Sequence, residues 1–271
     1  MPGTSIAGRG IAAGLCALAL LAIPAAASAS KATDRADKEL DRALERLVAY
    51  ENGPPGVSAF VKRGNRGNLH AAGVSDVEKG ARIKAGDHVR LASTAKAFNG
   101  AVALSLVDDG LLSIDSTIGE LLPGQPPAWS PITVGQLLQH TSGIADFSAD
   151  PEFRARVIAD PHGSFEHAEL PAFVADEPLA FPPGSAYHYS NTENILIGLI
   201  VEAVTGDSYE DQLREQVYEP LGLTETSLPS DWRMPRPAIR GYDTDEDPPE
   251  DVTTVISMSG VWASGGSSSV S

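Results

Sequence analysis

Apolar residues at helical spacing predict a helix over residues 34–50, the first element after the apolar N-terminal segment. Between residues 34 and 50, apolar side chains recur every three or four positions, and charged side chains occupy the opposite face. This pattern predicts an amphipathic helix. The Asn-Gly-Pro-Pro run at residues 52–55 is expected to end it, because glycine and proline are poor helix formers.

Three further segments have the apolar content of packed helices. Residues 93–109 are expected to form a helix that ends at Gly110. Its predicted buried stripe consists of Ala97, Ala101, Leu104 and Val107. Residues 194–205 are strongly apolar and stop at Gly206, and residues 208–217 predict a helix that is polar on one side.

Shorter elements are predicted between these helices. Residues 133–136 have the spacing of a capping box and open a short helix that ends near His140. Residues 151–176 favour helical pieces, because prolines and a glycine interrupt them. Phe-Pro-Pro-Gly at residues 181–184 predicts a tight turn.

Two segments favour strands. Residues 57–62 and 69–74 flank the turn-rich stretch Gly-Asn-Arg-Gly-Asn at residues 64–68, which predicts a β-hairpin. The chain therefore combines helices with an antiparallel β-element, and the pattern shows no internal repeat.

The N-terminal residues have the pattern of a secretory leader. Residues 11–23 are an unbroken apolar run, with Arg9 before it and Pro24 after it, and Ala-x-Ala cleavage sequences follow at residues 25–29. We expect a signal peptide over residues 1–29 and a secreted or periplasmic mature chain. A membrane anchor is disfavoured, because about 20 apolar residues are needed to span a bilayer. The single cysteine, Cys16, lies in this leader, so no disulfide and no cysteine nucleophile are expected in the mature chain.

Composition and charge narrow the functional classes. The 271 residues are 42% hydrophobic and 21% charged, which is typical of a globular domain, here residues 30–271. The formal net charge of −16 repels phosphate backbones and anionic lipids. Nucleic acid is therefore not expected as a partner, and neither is a stable membrane anchor.

Ser93-Thr94-Ala95-Lys96 is an S-x-x-K sequence at the predicted start of a long helix. Residues three apart lie on one helix face, so the hydroxyl and the amine are expected to be neighbours. The helix N-terminus also favours negative charge on the serine oxygen. This is the arrangement that an acyl-transfer nucleophile requires. The alternative interpretation is that Ser93 only caps the helix.

Tyr189-Ser190-Asn191 follows the predicted Pro-Pro-Gly turn and precedes a buried helix. Polar side chains on a loop between rigid elements are common carriers of function. The alternative is a half-buried tyrosine, with Ser190 or Asn191 serving as the helix cap.

The order of four motifs resembles the superfamily of serine β-lactamases and penicillin-binding proteins. After S-x-x-K come Leu-Leu-Gln-His-Thr-Ser-Gly at residues 137–143, Pro-Pro-Gly at 182–184 and Tyr-Ser-Asn at 189–191. The resemblance is strongest to D-alanyl-D-alanine carboxypeptidases and class C β-lactamases. It implies an α/β (α+β) fold of the β-lactamase/transpeptidase type: an antiparallel sheet with flanking helices, and a helical subdomain over about residues 110–230.

The resemblance also implies roles for four residues. Ser93 would be the nucleophile, Lys96 would assist proton movement, and Tyr189 would be the general base toward the serine and the acid toward the leaving group. Asn191 would bind the amide of the substrate. The implied substrates are D-alanyl-D-alanine peptides of peptidoglycan precursors or β-lactams, with no metal and no cofactor. Whether Lys96 or Tyr189 takes the proton is left open by the sequence.

One motif of the family is absent from this sequence. Relatives carry Lys or His, then Thr or Ser, then Gly on a strand beside the site, but the last lysine here is Lys96 and the last histidine is His188. Residues 260–271 resemble the segment that precedes that strand. We therefore expect a truncated reading frame in which the C-terminal strands are missing and activity is reduced or lost.

Two classes of function remain as hypotheses at this point. The first is a serine-type D-alanyl-D-alanine carboxypeptidase, with a β-lactamase or a carboxylesterase as variants of the same enzyme class. The second is a catalytically inactive protein that binds cell wall. A reading frame that continues beyond Ser271 into the third motif would favour the enzyme, and a true stop with a folded product would favour the binding protein.

Overall fold

The computed structural model describes residues 23–245 and 248–270. Residues 1–22, which make up most of the predicted leader and include Cys16, lie outside the described residues. Within the described ranges, no helix has the length and apolar content needed to cross a membrane.

Helices dominate the described residues and strands are short. The α-helices are α1 Ile23–Val48, α2 Lys96–Asp108, α3 Ile118–Leu121, α4 Val134–Leu138, α5 Pro151–Ala159, α6 Asn191–Thr205, α7 Tyr209–Leu213, α8 Glu219–Leu221 and α9 Trp262–Gly265. The strands are β1 Gly56–Arg63, β2 Arg66–Gly73, β3 His88–Arg90, β4 Tyr242–Asp243, β5 Glu250–Asp251 and β6 Ser268–Val270. In the described part of the chain the strands pair as β1–β2, β3–β6 and β4–β5, all antiparallel.

The hairpin confirms its prediction, and the first helix covers most of the predicted residues 34–50 but is already helical at Ile23 and ends at Val48. β1 and β2 are joined by the two residues Gly64 and Asn65, so the turn is shorter than the turn-rich stretch suggested, and Gly64 adopts a φ of 60°. α1 packs against β2, where Asp41 contacts Nδ1 of His70 at 2.7 Å and Asp37 accepts a hydrogen bond from Arg63 at 2.7 Å. The polar residues of the helix therefore also fix it on the hairpin.

The main core lies around α6. Its side chains pack against α2, α4 and α9, and nine of its residues are buried. The helix begins three residues earlier than predicted and ends at Gly206, whose φ of 78° fits a left-handed C-terminal cap. Its strongly apolar composition places it at the centre, because a helix that is apolar all round must be covered on every side.

The predicted buried stripe of α2 is wrong at three of its four positions. Ala97, Ala101 and Leu104 are exposed, and Val107 is half-buried against the core. The buried face consists of Asn99, Val102, Ala103 and Leu106. Because α2 is apolar on nearly every side, its spacing fits two faces equally well. Asn99 selects between them, since its amide donates to the carbonyl and side-chain oxygens of Asn194 at 3.1 and 3.0 Å.

The other helical predictions hold with one local change. The capping box at Thr133 forms, with Gln136 donating its backbone N–H to the Thr133 hydroxyl at 3.2 Å. Residues 151–176 contain α5 and two 3-10 turns. The helix predicted over residues 208–217 is α-helical to Leu213 and continues as a π-helical turn over Arg214–Tyr218.

We expect Gly198→Ala to destabilise the fold by about 1–2 kcal/mol, because overpacking costs about 1–3 kcal/mol and alanine recovers part of this as a better helix former. A Cβ at Gly198 would lie 2.7 Å from a ring carbon of the buried Trp262 and 2.9 Å from Cβ of Ala263. Urea unfolding followed by circular dichroism measures the change.

Gly100→Ala is the matched control for this substitution. Gly100 also lies within a helix, α2, and a Cβ there meets no atom within 4 Å. It is expected to stabilise the chain by up to about 1 kcal/mol. Equal free energies of unfolding for the two variants would contradict the close packing of α6 on Trp262.

Candidate active site

Ser93 lies where the chain leaves β3 and enters α2. A 3-10 turn, Ala92–Ala95, replaces the first turn of the predicted helix, and Ala92 has a φ of 46°. This left-handed conformation is uncommon for a residue with a Cβ. The turn exposes Ser93, and no side chain caps either the turn or α2. The capping interpretation of Ser93 is therefore not supported.

The ammonium of Lys96 has an acceptor for each of its three N–H groups. It donates to Ser93 Oγ at 3.3 Å and to Asn191 Oδ1 at 2.8 Å, and the carbonyl oxygen of Ser264 is in close contact with it. The amine and the serine are one helical turn apart, as predicted. Their two remaining partners come from distant parts of the chain.

Tyr189 reaches Ser93 across 96 residues of sequence. Its Oη lies 2.8 Å from Ser93 Oγ and 3.2 Å from Asn191 Oδ1, to which it donates. Either oxygen can donate in the Ser93–Tyr189 contact, and with the phenol proton on the Asn191 side the serine hydroxyl donates to the phenol oxygen. This is the direction in which the serine proton must move when the serine becomes a nucleophile.

The ring of Tyr189 is held on two sides. Lys96 Nζ lies 4.9 Å from the ring centroid, and the imidazole of His140 packs at 4.7 Å between centroids. The tyrosine stays 37% exposed, so one side remains open to an incoming molecule.

The amide of Asn191 has a single consistent orientation. Its Nδ2 donates to the carboxylate of Asp146 at 3.1 Å and to Ser148 Oγ at 3.1 Å, and a carboxylate can only accept. Oδ1 must therefore face Lys96 and Tyr189. Both ends of the amide are engaged within the protein, and the predicted contact of Asn191 with substrate stays a prediction. The sequence reasoning missed Asp146 and Ser148, which no spacing pattern marks.

The carbonyl that accepts from Lys96 lies on α9, near the C-terminal end of the described residues. Trp262 of this helix is buried, stacks on His167 at 4.0 Å between centroids and donates to Glu210 at 2.9 Å. Burial lowers the pKa of His167 below its usual 6.5 and favours the neutral ring. Trp262 therefore packs in the protein core and anchors α9.

A separate cavity of about 600 Å³ lies between residues 75–87, which follow β2, and residues 232–254. It is lined by both acidic and basic side chains, and its serine, Ser75, donates its hydroxyl to backbone carbonyls of Ala81 and Arg82 at 3.3 Å. No base contacts this serine among the described residues, so the cavity is not the site of the serine chemistry. The described ranges also hold no group of three or more His, Cys, Asp or Glu arranged for a metal ion.

Comparison with known proteins places the site in a family context. A family model described as Beta-lactamase matches residues 40–270. The chain is 30% identical over 208 residues to a D-aminopeptidase of Cereibacter sphaeroides (strain ATCC 17029 / ATH 2.4.9), covering 75% of this chain and 39% of that protein. It is 30% identical over 176 residues to a putative D-alanyl-D-alanine carboxypeptidase of Escherichia coli (strain K12), covering 61% and 38% of the two chains.

A solved structure supports the same assignment. The D-stereospecific amidohydrolase from Streptomyces sp. superposes with a TM-score of 0.75 at 30% identity, covering 84% of this chain and 68% of that one. The predicted α+β fold of the β-lactamase/transpeptidase type is thereby confirmed. The chain spans about two fifths of the length of the two curated relatives.

The four motifs that carried the resemblance all lie inside the matched range, and Ser93, Lys96, Tyr189 and Asn191 meet in space at the start of α2. The chain belongs to the Beta-lactamase family of serine hydrolases.

Proposed function

We propose that this protein is a serine hydrolase that cleaves amide bonds next to D-amino acids through an acyl-enzyme on Ser93. D-alanyl-D-alanine peptides, cleaved as by a serine-type carboxypeptidase, are the first substrates to test. The observation that carries the proposal is the contact of Ser93 Oγ with Tyr189 Oη at 2.8 Å and with Lys96 Nζ at 3.3 Å.

The proposed reaction has two steps. Ser93 Oγ bonds to the carbonyl carbon and passes its proton to Tyr189 Oη, while the proton already on the phenol passes to the nitrogen of the leaving amine. The carbon–nitrogen bond then breaks, the amine leaves, and Tyr189 ends the step as the neutral phenol it began as. Water then bonds to the ester carbon and passes a proton to Tyr189 Oη, while the phenol proton passes to Ser93 Oγ, so that the ester bond breaks and the acid leaves. The Lys96 ammonium is placed to stabilise negative charge that develops on Ser93 Oγ or on the phenol of Tyr189.

The names of the relatives support D-configured substrates and differ in the bond that is cleaved. A D-aminopeptidase, a putative D-alanyl-D-alanine carboxypeptidase and a D-stereospecific amidohydrolase share only the D-amino acid and the amide. β-Lactams and esters stay alternatives within this class, and a non-catalytic cell-wall-binding protein stays the alternative outside it. Export, as the leader predicts, would place the protein with peptidoglycan precursors and remains part of the proposal.

A panel of paired substrates tests this proposal. Although the sequence predicts a reduced rate, we expect the chain to hydrolyse an acylated peptide that ends in D-Ala-D-Ala, or D-phenylalanine amide, at least about tenfold faster in kcat/KM than its L-counterpart. Amino acid release measured by chromatography identifies the bond that is cleaved, and a chromogenic cephalosporin and a nitrophenyl ester test the two alternatives. Equal rates for D- and L-forms would overturn the D-specificity. Binding to peptidoglycan with no reaction at Ser93 would support the non-catalytic protein.

A further inference from the structure

A buried carboxylate lies just behind the candidate site. Glu193, in the first turn of α6, is 0% exposed. Its Oε1 accepts from the Ser142 backbone N–H at 3.2 Å and from the Ser142 hydroxyl at 2.5 Å, and its Oε2 is in close contact with Nδ1 of His140. A carboxylate buried to this degree is stable only where such donors satisfy it, so its position is fixed.

The imidazole of His140, which contacts Glu193 through Nδ1, also packs against the ring of Tyr189. The two rings are 4.7 Å apart between centroids and inclined by 36°. The Ser190 N–H lies 3.4 Å from the same Nδ1 and is the weaker of the two contacts. The contact with Glu193 therefore fixes the orientation of the imidazole.

The backbone links the same two segments. His140 has a φ of 56°, and its carbonyl accepts from the His188 N–H at 2.9 Å, directly before Tyr189. The Thr141 carbonyl accepts from Gly184 N–H at 2.8 Å. The Leu-Leu-Gln-His-Thr-Ser-Gly segment is thus the support of the loop that carries the phenol.

We propose that Glu193 and His140 are positioning residues for Tyr189. Glu193 fixes the imidazole, and the imidazole holds the half-exposed phenol at hydrogen-bond distance from Ser93 Oγ. This inference rests on the proposed function and adds two residues to it. Precise placement matters here, because a shift of about 1 Å in a reacting group can cost about 100-fold in rate.

His140→Asn is the direct test. Asparagine tolerates a positive φ, and its side-chain amide can still donate to Glu193, but it presents no ring to Tyr189. We expect kcat for the substrate preferred by the wild-type chain to fall about 10- to 100-fold, with KM changed less than about threefold. Circular dichroism and thermal unfolding check that the variant is folded. A folded His140→Asn with wild-type kcat would overturn the inference.

Glu193→Gln provides a second, independent test. Its amide oxygen still accepts from Ser142, and its amide nitrogen can donate to Nδ1 of His140, so the ring stays in place without the carboxylate charge. Glu193→Ala, which removes the partner of Nδ1, is expected to lower kcat about tenfold, and Glu193→Gln is expected to restore kcat to within about threefold of the wild type. A folded Glu193→Gln variant that loses activity as His140→Asn does would mean that the charge itself acts, and the positioning role would be wrong.

Tyr187→Ala is the matched control, because this exposed residue packs on the same imidazole in a T-shaped arrangement at 6.0 Å between centroids. It is expected to keep the wild-type kcat.

Failure of the proposed function and failure of the positioning inference give different results. A wild-type chain that never acylates Ser93 contradicts the proposed function. A wild-type chain that does acylate, with His140→Asn as fast, contradicts only the inference on positioning.

Discussion

Replacing Ser93 by alanine is expected to abolish covalent labelling by a fluorescent penicillin and to lower kcat/KM by at least about 10⁴-fold. The hydroxyl is the group that forms the acyl bond, and among the described residues it is the serine oxygen that contacts both Lys96 and Tyr189. Labelling is measured by gel fluorescence, and the labelled residue is identified by mass spectrometry of the digested chain.

Thr94→Ala is the matched control for the serine substitution. Thr94 is the next residue, is also exposed and also carries a hydroxyl, but within the described part of the chain that hydroxyl has no hydrogen bond to Lys96 or Tyr189. It is expected to label at the wild-type rate. Labelling of the Ser93→Ala chain at another residue would contradict the assignment of the nucleophile.

Tyr189→Phe is expected to lower kcat by about 10²- to 10⁴-fold, the range for loss of a positioned general acid–base group. Phenylalanine retains the ring that packs between His140 and Lys96 Nζ, so the substitution removes only the hydroxyl. The serine then loses its partner at 2.8 Å, and the leaving amine loses its proton donor. Single-turnover acylation and steady-state hydrolysis measure the two steps separately.

Tyr187→Phe controls for loss of a tyrosine hydroxyl from the same loop. Tyr187 is 67% exposed, and its ring edge contacts the other side of His140. It is expected to keep full activity. An active Tyr189→Phe variant would assign proton transfer to Lys96 instead, the alternative that the sequence left open.

The residues of the site were predicted from the sequence, but most of what holds them was not. Ser93 and Lys96 are one turn apart in the chain, so local geometry alone brings them together. Tyr189 joined them only through the resemblance to a known family. Asp146, Ser264 and Glu193 carry no local pattern, because their partners lie far away in the sequence and are chosen by packing.

The same division applies to the fold. Residues 34–50 and the hairpin were predicted because each has one clear period. The helix α6 was predicted because a long apolar run stops at Gly206, which has a φ of 78°. The buried face of α2 was predicted wrongly, because its apolar residues fit two faces. Only contact with Asn194 decided which face is buried.

The sequence by itself determined the elements with a single period, the order of the four motifs and the pairing of Ser93 with Lys96, since all of these depend on neighbours within a few residues. The tertiary structure alone decided that Tyr189 contacts the serine and that Glu193 supports it through His140. It also decided that the carbonyl of Ser264 receives the third N–H of Lys96. The physical reason is that hydrogen bonds between distant segments form only where core packing has already fixed both partners.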